Sequence, residues 1–182
     1  MRTIEVRQDC VEKSLPYPLQ GEKDGMFATV RFARKENRLL VKCLVKEKEL
    51  RSFTDHYNGP VEKDSSVALC LAQKKSSEYV VLIFSVSNFI KGYYRDGDDV
   101  ELIKAEELSQ VQRTVTIEEV HTSYSLWSLS LSLSLVDVGI IQENATYGVF
   151  DAEICVGSLR LFSEEGVSPF HQRDTWGTLS FV

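Results

Sequence analysis

The stretch Ser125–Leu135, "SLWSLSLSLSL", decides the fold of this chain. On a strand, alternate residues share a face. Trp127, Leu129, Leu131, Leu133 and Leu135 then fall on one side, with Ser128, Ser130, Ser132 and Ser134 opposite. A helix would spread the same leucines around its circumference. The stretch therefore predicts a long, half-buried strand with its Trp–Leu side in the core and its serines outward. Such uniform alternation specifies pairing register weakly, so a neighbouring strand or loop is expected to fix it.

The same period recurs in both directions along the chain. In "FATVRFARK", Ala28, Val30 and Phe32 share a face, as do Val41, Cys43 and Val45 in "LLVKCLVKE". "SVALCLA" sets Val67, Leu69 and Leu71 against Ala68, Cys70 and Ala72, and "YVVLIFSVS" is apolar on both faces, as a central strand would be. "QRTVTIEEV" places Val115 and Ile117 together, and "GVFDAEICV" places Phe150, Ala152, Ile154 and Val156 inside. "GTLSFV" reads as the last strand, and "AEELSQVQ", Ala105–Gln112, as one or two helical turns. About ten strands separated by Gly, Asn and Asp turns predict an all-β, antiparallel two-sheet β-sandwich, jelly-roll-like, with little helix. No internal repeat or linker divides residues 1–182, which are expected to form a single domain. Residues 1–25, with Pro16 and Pro18, read as an irregular lead-in or edge strand.

Composition narrows the function. A chain of 182 residues with 43% hydrophobic content can bury a real core. The net charge of -6 comes from mixed charges, without the clustered Lys and Arg of a nucleic-acid binder. No apolar run suggests a membrane span, and the first residues lack the apolar core of a signal peptide. The expected location is therefore cytoplasmic. Cys10, Cys43, Cys70 and Cys155 are widely spaced and are expected to be free thiols. His56, His121 and His171 are too scattered for a metal motif. Neither a metal nor another cofactor is expected. Glu118-Glu119 and Asp98-Asp99 are neighbours, and strand neighbours point to opposite faces, so no catalytic pair is nominated.

Three polar segments are candidates for binding. "YYRDGDD", Tyr93–Asp99, offers Arg95 beside aromatics and carboxylates, although Asp96-Gly97 also reads as a plain hairpin turn. "YNGPVEKDSSVALCLA", Tyr57–Ala72, supplies Tyr57 and Asp64. "SPFHQRDTWGTLSFV" supplies His171 and Trp176. An exposed Trp gives a pyranose an apolar platform, with polar neighbours for its hydroxyls. The other reading of Trp176 is a plug closing the end of the sandwich.

Together these segments resemble family 9 carbohydrate-binding modules. "RLLVKCLVKEKELRSFTDHYNGPVEKDSSVALCLA" is similar to that family's charged turn, its Pro-Val-Trp-x-Asp-Ser loop and the strand that follows. "YVVLIFSVSN" echoes its Tyr-x-Phe-x-x-Asn strand, "SYSLWSLSLSLSL" its Trp-led strand, and "FHQRDTWGTLSF" its closing Phe-His-x-Pro-x-Phe-Gly-x-Leu. The resemblance implies a β-sandwich that binds an oligosaccharide or another small polar ligand; some members accompany xylanases. It also exposes departures. The family's stacking Trp falls on Glu62, its sugar-bonding Glu on Ala68 and its closing Pro on Arg173, while Asp64-Ser65 and His171 are kept. Weakened or altered glycan binding is expected. The alternatives are an interaction protein that kept the fold without the sugar site and, further off, a hydrolase, which needs two carboxylates facing across the cleft.

Overall fold

The computed structural model describes residues 3–6, 19–141, 148–162 and 175–181. Its strands form two sheets. The larger runs β1 (Thr3–Val6), β13 (Gly177–Phe181), β11 (Gly148–Val156), β5 (Ser66–Gln73), β6 (Tyr79–Ser85), β7 (Ile90–Asp96) and β8 (Asp99–Leu102), with β12 (Leu159–Arg160) paired to β11. The smaller runs β2 (Leu19–Lys23), β3 (Met26–Lys35), β4 (Arg38–Glu47), β10 (Ser125–Ser134) and β9 (Gln112–Val120). Among the described residues only β1 and β13 pair in parallel. The lead-in thus contributes an edge strand to each sheet.

The predicted alternation is realised. Trp127, Leu129, Leu131 and Leu133 are buried on the inner face of β10, opposite Val45, Cys43, Val41 and Leu39 of β4. They meet Leu69, Leu71, Leu82, Phe84, Phe150 and Ile154 from the other sheet in one core. Each fully buried side chain of this size contributes about 1.5–3 kcal/mol of transfer free energy. Two side-chain locks fix the register that Leu–Ser repetition leaves open. At one end Trp127 Nε1 donates to the buried Glu47 Oε1 at 2.6 Å. At the other, Arg38 donates to both the hydroxyl and the carbonyl oxygen of Ser132, each at 2.7 Å. The serine side is less uniform than expected. Ser130 is exposed, but Ser128 is covered and donates to Glu118 Oε1 at 2.7 Å.

The α-helix α1 spans Ala105–Ser109, and a 3-10 turn spans Val61–Lys63. Leu108 of α1 is buried against Gly92, where a Cβ would stand 2.6 Å from its methyl carbon. "YYRDGDD" forms the β7–β8 hairpin, with Asp96 opposite Asp99 and Gly97 at φ 58°. Only glycine takes that conformation readily, so the turn reading accounts for the motif. Cys43, Cys70 and Cys155 are free and buried; Cys10 lies outside the described residues.

Candidate functional site

β5 and β6 are buried on both faces. Their second face, turned away from the core, belongs to a separate cluster of Val61, Ala68, Cys70, Ala72, Tyr79, Val81, Ile83, Cys155 and Trp176. Cross-strand pairing explains the grouping: Ala68 lies opposite Cys155 and Ile83, and Cys70 opposite Glu153 and Val81. β5 carries only small side chains here, and the Trp176 ring packs in the cluster they form. Trp176 is 0% exposed and meets Tyr79 edge-on, with ring centroids 5.3 Å apart. Trp176 is buried as the plug reading expects, but it plugs the outer face of the larger sheet and not the end of the sandwich. Gly177 follows for a steric reason: a Cβ there would be driven into the Phe162 ring, which is itself fully buried.

The loop before β5 is held by Asp64 and Ser65. Asp64 is 3% exposed. Its carboxylate accepts the backbone N–H of Phe53 at 2.8 Å, that of Thr54 at 3.3 Å, the Ser87 hydroxyl at 2.9 Å and the Ser85 hydroxyl. Burial works against the charge. The hydrogen bonds from Ser85, Phe53, Ser87 and Thr54 outweigh it and hold the carboxyl below its usual range. Ser65 ties the same loop to Arg51 in both directions, at 2.8 and 2.9 Å. Asp64 therefore acts as a clamp between the 51–54 segment and the end of β6. Its oxygens are spent on the protein and not on a ligand.

Tyr57 lies on the seam between the sheets. It packs edge-on to Phe89 at 5.5 Å, and its hydroxyl accepts Arg113 at 2.9 Å. Arg95 stands opposite Tyr79 and donates to the Gly97 carbonyl at 2.9 Å, so it braces the hairpin. His171 lies outside the described residues. Tyr57, Asp64 and Arg95 are each engaged by other groups of the protein.

The structure gathers other residues. Glu62, on the 3-10 turn, pairs with Lys91 of β7 at 3.4 Å. Lys91 lies opposite Ile83, and Ile83 opposite Ala68. Tyr93 is the next residue of β7 on this face, and burial pushes its phenol up to about 12, so it remains a neutral hydroxyl. The result is an apolar floor of Ala68 and Ile83 with a rim of Glu62, Lys91 and Tyr93. On the opposite flank of the same sheet, buried Glu153 binds Arg160, which also donates to Thr175 at 3.1 Å, and Lys74 bridges Asp151 at 2.9 Å and Thr178 at 3.0 Å. Lys91, Glu153, Arg160 and Lys74 were not nominated from sequence. Only Lys91 carries a signal, a charged residue on β7 with the aromatics Phe89 and Tyr93 two residues to either side. Among the described residues, no group of three His, Cys, Asp or Glu is placed to hold a metal ion. No helix among them is long and apolar enough to cross a membrane.

Both sheets, their order and this double-faced β5–β6 pair can be set beside solved structures. The fold is similar to that of family 9 carbohydrate-binding modules. A candidate carbohydrate-binding protein from Bacteroides uniformis ATCC 8492 matches 100% of this chain and 99% of its own, at 16% identity and a TM-score of 0.79. A family 9 module from Caldicellulosiruptor kristjanssonii in complex with glucose matches 100% of this chain and 96% of its own, at 12% identity and a TM-score of 0.57. A family 9 module from the same organism in complex with cellotriose covers 99% and 93%, at 10% identity and a TM-score of 0.54. At these identities the likeness concerns the fold. No family model matches the chain, and no curated protein matches it by sequence.

Proposed function

We propose that this domain is a non-catalytic, carbohydrate-binding-like module whose sugar site departs from the family 9 pattern. The supporting observation is the end-to-end agreement of fold with modules that hold glucose and cellotriose. The ligand face in this reading is the outer face of the larger sheet, around Ala68 and Ile83. A sugar's apolar face would lie on that floor, with Lys91 and the Tyr93 hydroxyl reaching its hydroxyls. Glu62 and its ion pair with Lys91 stand where the resemblance calls for a stacking Trp. Burial of Trp176 removes the second platform named from sequence. These two features favour a second reading, in which the fold serves protein interaction and sugar binding has been lost.

Isothermal titration with glucose and cellotriose separates the two. The first reading expects measurable binding weaker than about 1 mM, abolished by Ile83→Glu. No heat at saturating cellotriose, together with no change in the chemical shifts of residues around Ala68, would leave the interaction reading.

A further inference from the structure

The strands of the smaller sheet do not end together. β9 begins at Gln112, opposite Ser132, while β10 runs on to Ser134 beside β4. Before Gln112 the chain comes from α1 through Val111. A cleft of about 290 Å³ opens at this corner, between the end of β10 and the α1 side of the larger sheet. Leu82, Ile103, Leu108, Leu133 and Val138 line it, and all five belong to the buried core. Part of the wall is fixed, because Leu108, Leu82 and Ile103 close over Gly92 and leave no room there for a Cβ. An apolar cavity of about 150 Å³ takes up benzene, so this cleft has room for an aromatic ring and a short polar chain.

The lining carries charges of both signs. Arg38 comes from β4, Glu107 from α1 and Asp137 from the turn after β10. Arg38 is held in place: Nε and Nη2 donate to Ser132 at 2.7 Å each, and Nη2 donates to Gln112 Oε1 at 3.2 Å. The two N–H groups on Nη1 have no hydrogen-bond partner among the described residues. No ion pair among the described residues joins Arg38 to Glu107 or Asp137, and both carboxylates are exposed. Tyr94 lines the same cleft. Burial, and then the negative charges of Glu107 and Glu101, push its phenol above the usual range, so it stands there as a neutral hydroxyl. The cleft thus combines an apolar well with one cation and two carboxylates that do not neutralise one another by contact.

We propose that this cleft binds a free α-amino acid with an apolar side chain of about phenylalanine's size. Each part of such a molecule has its complement. The side chain fills the well of Leu82, Leu108, Leu133 and Val138. The carboxylate takes the Nη1 donors of Arg38, and the three N–H donors of the ammonium go to Glu107, Asp137 and the Tyr94 oxygen. A simple amine would leave Arg38 without a counter-charge, and a simple carboxylic acid would leave Glu107 and Asp137 without one. A hexose would bring hydroxyls against buried aliphatic side chains that offer them no hydrogen bond. The inference does not depend on the carbohydrate reading: the cleft lies on the inner side of the larger sheet, and the Ala68 and Ile83 floor on its outer side.

The test is calorimetry on the full chain with L-phenylalanine, L-phenylalaninamide, which lacks the carboxylate, and 3-phenylpropanoate, which lacks the ammonium. L-Phenylalanine should bind more tightly than about 1 mM, and each analogue at least about tenfold more weakly. Glu107→Gln and Asp137→Asn change exposed side chains and should leave melting unaltered. Each should weaken L-phenylalanine about threefold or more, and the double variant at least about tenfold. Val138→Phe puts a ring into the well and should abolish binding. In methyl spectra of the wild type, Leu108 and Leu133 should shift as L-phenylalanine is added, and saturating cellotriose should not reverse the shift. Any of five results overturns the proposal: no heat up to about 10 mM L-phenylalanine, equal affinity for either analogue, wild-type affinity in the Glu107 and Asp137 double variant, binding that survives Val138→Phe, or displacement by cellotriose.

Discussion

Trp176 meets Tyr79 edge-on, with ring planes at 82° and centroids 5.3 Å apart. The contact ties the start of β13 to β6 across the outer face of the larger sheet, over the small side chains of β5. Edge-to-face aromatic pairs contribute about 0.5–1.5 kcal/mol beyond their buried area. Trp176→Ala is therefore expected to cost about 3–5 kcal/mol, as truncation of a buried Trp does, read as the shift in a denaturant unfolding curve. Loss of under about 1 kcal/mol would mean that the indole is not the plug described.

Asp64 links stability to pH. Its folded-state pKa lies below its ordinary value, so the charged clamp stabilises the fold fully above the unfolded-state pKa, about 3.9. That contribution falls away as pH drops through the unfolded value towards the lower folded one. Asp64→Asn removes the charge and turns one acceptor into a donor facing other donors. It should cost about 2 kcal/mol or more at neutral pH. The gap between wild type and variant should narrow in melts below about pH 4. A gap that stays constant down to low pH would show that the carboxylate charge is not what holds the 51–54 segment.

These two residues show where sequence reading stops. Alternation along β3, β4, β10 and β11 prescribes the core because burial selects one face of each strand, and the structure fills that face as expected. Trp176 follows a polar run, which gives no hint of burial. The cue lay elsewhere, in the small residues Ala68, Cys70 and Ala72 on one side of β5, which leave room for a ring from a distant segment. Asp64 reads equally well as a ligand contact or as a clamp. What separates the two is the arrival of Ser85, Ser87 and the Phe53 amide at its oxygens, and that depends on tertiary placement.

The described cysteines should be chemically silent. Burial pushes the Cys43 thiol up to about 12 and raises Cys70 and Cys155 well above the free value. The thiolate is the reactive form. An aromatic disulfide reagent at about pH 8 should leave all three unmodified in the native protein and label them in denaturant. Peptide mapping reads the sites individually. Native labelling of Cys70 or Cys155 would mean that the outer face opens readily.

Glu62 and Ala68 set the last expectation. A stacked aromatic contributes about 1 kcal/mol to a sugar, and each charge-assisted bond to a hydroxyl about 1.5–3 kcal/mol. Losing both amounts to roughly 3 kcal/mol, or about a hundredfold in affinity. The structure adds a further obstacle: Glu62 already engages Lys91 at 3.4 Å, so a ligand must compete with that pair for the ammonium. The pair is partly exposed and weak, so replacing it should cost little stability. Glu62→Trp with Ala68→Glu supplies the platform and the acceptor and frees Lys91 to face the new carboxylate across Ile83. The double variant should bind cellotriose at least about tenfold more tightly than wild type in calorimetry. Each single variant should give only part of the gain. An unchanged affinity in a variant that melts normally would show that the outer face of β5 is not where this fold meets a sugar.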